Sequence, residues 1–91
     1  MRLFHVKGTF KWAVDFAEGK GFVLSKMILH VYAQNEERAR TLVKEAFKPP
    51  RFTEITITAV EDHGEVKKGF QPKKETTMLA YEEELKQGLL P

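Results

Sequence analysis

Residues 2–12 alternate. Phe4, Val6, Phe10 and Trp12 share one side with Gly8, while Leu3, His5, Lys7, Thr9 and Lys11 share the other. A period of two is the mark of a half-buried strand. Residues 13–17 extend it, less regularly, towards Glu18-Gly19-Lys20-Gly21. That run predicts a turn, because glycine reaches the positive φ angles that tight turns need. Residues 22–33 predict a second strand, with Val23, Met27, Leu29, Val31 and Ala33 on one side. Phe22, Leu24, Lys26, Ile28, His30 and Tyr32 fall on the other. Apolar groups on both sides suit a central strand. The two strands should form an antiparallel hairpin.

The period then changes. Ala39, Leu42, Val43, Ala46 and Phe47 make one apolar stripe at helical spacing. Asn35 is a good N-cap, Glu36 and Glu37 suit the positive end of the helix dipole, and Pro49-Pro50 stops the element. The spacing predicts a helix over 35–48. Residues 52–61 return to a period of two and are rich in β-branched side chains. They set Ile55, Ile57 and Ala59 against Glu54, Thr56, Thr58 and Val60. Residues 62–75 are polar and broken by Gly and Pro, which predicts a loop. Residues 77–87 place Met78, Tyr81 and Leu85 on a narrow helical stripe, with Thr76 or Thr77 as cap and Gly88 as stop.

The expected fold is α+β: a β-β-α-β antiparallel sheet with one packed helix, a basic loop and a short C-terminal helix. The expected division is a core at 1–62, a basic loop or linker at 63–76, and a helix and tail at 77–91. Ninety-one residues suit one domain. The helix should pack on Phe4, Val6, Phe10, Met27, Leu29, Val31, Ile55 and Ile57.

Composition narrows the function classes. The chain has no cysteine, so disulfides, thiolate nucleophiles and sulfur-based zinc sites are excluded. No run approaches the roughly 20 apolar residues of a membrane span, and the start goes straight into a strand pattern. A cytoplasmic location is expected. The net charge is only +2, but it is unevenly spread. The first third is basic, Lys67, Lys68, Lys73 and Lys74 form a second basic cluster, and Glu82, Glu83 and Glu84 make the end acidic.

No catalytic constellation stands out. Glu36 and Glu37 are explained by a helix start, and Gly19-Lys20-Gly21 precedes a strand rather than the helix of a dinucleotide fingerprint. His5 and His30 could share one side of the sheet, but a metal site requires further ligands. The expectation is a non-catalytic protein without metal or cofactor.

Macromolecule binding is the leading expectation. His5, Lys7, Lys11, Lys26, His30 and Tyr32 would lie on the side away from the helix, with Lys67, Lys68, Lys73 and Lys74 in the loop beside them. Cations and rings on an open sheet hold phosphates and stack bases, which points to nucleic acid, RNA more than DNA. A protein partner is the alternative, as for the small proteins of phages and mobile elements. Its surface would comprise Phe22, Leu24, Ile28, Met78, Tyr81 and Leu85. A homodimer through a sheet face or edge is a further expectation.

Three segments carry a family resemblance. They are Phe4-His5-Val6-Lys7-Gly8-Thr9-Phe10, the run Tyr32-Ala33-Gln34-Asn35-Glu36-Glu37-Arg38-Ala39, and Ile55-Thr56-Ile57. Together they resemble the archaeal large-subunit ribosomal protein LX family over residues 2–61. The resemblance implies a β-β-α-β fold and ribosomal RNA contacts near Lys7 and Lys11. The strongly basic stretch that family carries before its last strand is here only Lys48-Pro49-Pro50-Arg51, and the acidic end has no counterpart there.

Overall fold

The alternating segments form the expected hairpin. In the computed structural model, which describes residues 1–67, 69 and 72–91, β1 spans Arg2–Phe16 and β2 spans Gly19–Ala33. They pair antiparallel from Arg2 opposite Ala33 to Phe16 opposite Gly19. Ala17 and Glu18 make the turn, and Gly19 takes a φ of 137°, where a side chain would be strained.

Helix α1 follows as Glu36–Ala46. The Asn35 side chain accepts a 2.9 Å hydrogen bond from the Arg38 amide, as an N-cap should. Ala39 and Val43 are fully buried, and Leu42 and Phe47 pack partly against the same cluster. Ala46, expected on this stripe, is exposed.

The core lies between helix and sheet. Phe4, Val6, Phe10, Met27, Leu29, Val31 and Ala33 are buried there with Ala39 and Val43. An 11-residue helix is about 16 Å long, whereas the molecule extends 50 Å along its longest axis. One helix therefore covers only part of the sheet, and the hairpin tip runs on beyond it.

β3 (Phe52–Glu65) pairs antiparallel with β1. Its register with β1 shifts near both ends and once in the middle, and the middle shift changes which residues face the core. Lys7 lies opposite Ala59, but Gly8 lies opposite Ile57, so Thr58 is an extra residue and its Oγ1 donates to the Lys7 carbonyl at 3.2 Å. Gly8 permits the bulge, because a Cβ there would strike the Thr56 carbonyl. The bulge reverses the expected facing of the next two residues. Val60 joins the core side and Ala59 turns away. The strand also continues through residues 62–65, which were expected to be loop.

The largest correction is at the C-terminal end. Residues expected to form a helix at 77–87 are instead β4 (Thr76–Leu89), antiparallel to β2. The sheet has four strands in the order β3-β1-β2-β4. The reason is tertiary. A short helix with three apolar side chains is marginal alone, whereas β2 would otherwise leave a full edge of amides and carbonyls unpaired. Bulges at Ala80 and Leu85 break the period of two and conceal the strand in the sequence.

Candidate functional surface

Because β4 extends the sheet, nothing among the described residues covers the side opposite α1. Odd residues of β1 and even residues of β2 point to this open face. It carries His5, Lys7, Lys11, Lys26, His30 and Tyr32, as expected. Phe22, Leu24 and Ile28 lie on the same face, and the register with β2 adds Met78 and Tyr81. The two surfaces read separately from the sequence, one for nucleic acid and one for a partner, are therefore largely a single surface. Leu85 is the exception, since it sits at a bulge on the outer edge. Lys67, Lys73 and Lys74 lie in the connection from β3 to β4, at the end of the sheet that holds Tyr32 and Thr76. Lys68 lies outside the described residues.

At this end three imidazoles stack in a row across three strands. The His5 ring lies between His63 on β3, at a centroid distance of 3.7 Å, and His30 on β2, at 4.3 Å. Sequence reasoning paired His5 with His30 but missed His63, which fell in the expected loop. Continuing the third strand by two residues past Glu61 would have revealed it. The His5 pKa is lowered from its ordinary 6.5, first by burial and then by repulsion from His30 and His63. Both effects disfavour the protonated imidazole.

Glu61 ties this row to a cation. Its Oε2 accepts from Lys7 Nζ at 2.9 Å, and its Oε1 lies 3.4 Å from His63 Nε2. Its pKa is lowered, chiefly by the hydrogen bond from Lys7 and then by that from His63.

The other end of the open face is a groove of about 310 Å³, lined by residues that include Lys11, Phe22, Glu54, Thr56 and Lys86. Lys11 Nζ sits 4.4 Å from the Phe22 ring centroid, a cation–π contact. Acidic residues are interleaved with the lysines: Glu61 on Lys7, Glu54 opposite Lys11, and Glu83 opposite Lys26. Among the described residues, neither Lys26 nor Lys86 makes an ion pair. The face is thus mixed in charge and rich in rings.

The edge strand β4 is different again. Met78, Leu79, Tyr81, Leu85 and Leu89 are each about half exposed. Two bulges and the Glu82-Glu83-Glu84 run guard this edge against indiscriminate pairing. Tyr81 donates to Glu83 at 3.1 Å, and that carboxylate raises the phenol's pKa.

No helix among the described residues is long and apolar enough to cross a membrane. Comparison with family models, with curated proteins and with solved structures returned no match. The likeness to ribosomal protein LX is carried by the quoted residues alone.

Proposed function

We propose that this chain is a non-catalytic module that binds single-stranded nucleic acid, RNA foremost, on its open sheet face. The carrying observation is that the C-terminal segment extends the sheet and so leaves this face uncovered. Tyr32, Tyr81, Phe22 and the histidine row offer π-faces on which bases stack. Lys11, Lys26 and Lys86 offer ammonium groups to the backbone, with the lysines of the β3–β4 connection at one end. The interleaved Glu54, Glu61 and Glu83 define the mode of binding. Stacking should contribute more than charge, and the salt dependence should be shallow for a nucleic-acid binder.

Fluorescence anisotropy with a labelled pool of single-stranded RNA at low salt tests this reading. Tyr32→Ala should weaken binding about tenfold, given roughly 1–3 kcal/mol per stacked base. Lys26→Glu with Lys86→Glu should weaken it further and flatten the salt slope. Absence of binding to any RNA or DNA pool at low salt would sink the proposal.

A second reading rests on β4, whose exposed apolar side chains and free backbone edge suit an extended segment of a protein partner added as a fifth strand. In that case Leu79→Lys abolishes the complex while RNA affinity is unchanged.

A further inference from the structure

We propose that His5, Glu61 and His63 form a site for an imidazole-preferring divalent metal ion of the zinc and copper class. The donors come from two paired strands, β1 and β3, so backbone hydrogen bonding fixes their spacing. One donor atom from each of the three residues lies within 4.8 Å of the other two. Glu61 Oε1 and His63 Nε2 are 3.4 Å apart. That is about the edge of a tetrahedron built on bonds of roughly 2.0–2.1 Å. A metal ion can thus take these two atoms almost where they stand, and the His5 ring must tilt out of its stack on His63 to aim a nitrogen at the same ion.

The surroundings suit the role. A ligating carboxylate is normally held through its second oxygen, and Lys7 holds Glu61 Oε2 at 2.9 Å. His30 backs the other face of the His5 ring at 4.3 Å and so sets how far that ring can tilt. His30 lies outside the donor triad and acts as a positioning residue. Two imidazoles and one carboxylate leave a fourth position for water, and all three donors are within reach of solvent. The donor set contains nitrogen and no sulfur. It therefore favours Zn²⁺, Cu²⁺ and Ni²⁺ over Mg²⁺ and Ca²⁺, which prefer all-oxygen shells. The Lys7 ammonium opposes the incoming charge and keeps the affinity below that of a closed structural site. The inference does not depend on the nucleic-acid reading, because metal binding is measured without nucleic acid.

The test is calorimetric titration of the full chain, free of any histidine tag, with Zn²⁺, Cu²⁺ and Mg²⁺ near neutral pH. Histidine side-chain nitrogen resonances should be recorded alongside. One equivalent of Zn²⁺ should bind, Cu²⁺ should bind more tightly, and Mg²⁺ should not bind. His63→Ala and Glu61→Gln should each weaken Zn²⁺ binding by about tenfold or more, and His30→Ala should weaken it less. His63 and Glu61 are exposed, so circular dichroism should show both variants folded. Failure of Zn²⁺ to bind overturns the proposal. So does an affinity unchanged in His63→Ala, which would locate the ion elsewhere, for example at the N-terminal amine.

Discussion

β3 and β4 flank the same hairpin, are equally long, and are both interrupted by bulges, yet they serve the molecule differently. β3 sends Phe52, Ile55, Ile57 and Val60 under or beside the helix. β4 sends Leu79, Glu82, Glu84 and Gln87 to that side, and every residue from Met78 to Gln87 is exposed. Among the described residues, one side-chain hydrogen bond ties it to a buried residue, from the Ser25 hydroxyl to Glu82 Oε1 at 3.4 Å. Backbone pairing alone can therefore make a strand, but burial is what anchors it. A strand held mainly by its edge remains available for something else.

The largest expected effect lies on the β3 side. Phe10 stacks on Phe47 at 4.9 Å and meets Phe52 edge-on at 5.9 Å. Phe10→Ala should cost about 3–5 kcal/mol in denaturant unfolding, because it removes the centre of the aromatic cluster that joins helix to sheet. Substitutions on the two flanking strands then test the contrast directly. Ile57→Ala should cost about 2 kcal/mol, and Leu79→Ala on β4 under about 0.5 kcal/mol. Equal losses would break the comparison, since they would mean that Leu79 is buried in solution by another molecule.

The same physics explains what was legible in the sequence. Where one face is buried, as in β1, β2 and the first half of β3, hydrophobic alternation records the fold and the core can be named residue by residue. Where burial stops, the record stops. Thr58 disturbs the alternation by one residue, so Ala59 and Val60 exchange sides. The strand then continues through His63 with no apolar marker, and this hid the third imidazole. β4 shows the limit. Its exposed Met78, Tyr81 and Leu85 fit a helical spacing as well as anything else, and only the unpaired edge of β2 decides the matter. The open face was legible as a set of side chains, but its width and the row of histidines across it were not.

Amide hydrogen exchange sharpens the contrast further. Amides of β3 that bond to β1 should be protected about tenfold or more beyond those of β4 that bond to β2, because edge pairing without burial opens locally. Metal binding at His5 and His63 would widen that gap, as it would tie β1 to β3 and leave β4 unaffected.

The smallest effect concerns how β4 begins. Glu75, just before the strand, accepts from Arg38 Nη2 at 2.9 Å and from the Gln34 amide at 3.1 Å, tying the strand to the start of the helix. These bonds, Arg38 first, hold the Glu75 pKa below its ordinary 4.5. A carboxylate with a depressed folded pKa stabilises the fold fully above its unfolded value, and that contribution fades as pH falls through the folded one. The tie should therefore be intact above pH 4.5 and released only as the pH falls through the lowered folded value. Arg38, its partner, is exposed to solvent, so the change in global stability should be slight. The local signal should be clearer, with β4 amides near Thr76 losing exchange protection in acid while those of β3 near Ile57 keep theirs. Glu75→Gln should give the acid pattern at neutral pH and remove its pH dependence. If acid instead loosens both flanking strands together, β4 is not the independently held strand that its exposed side chains imply.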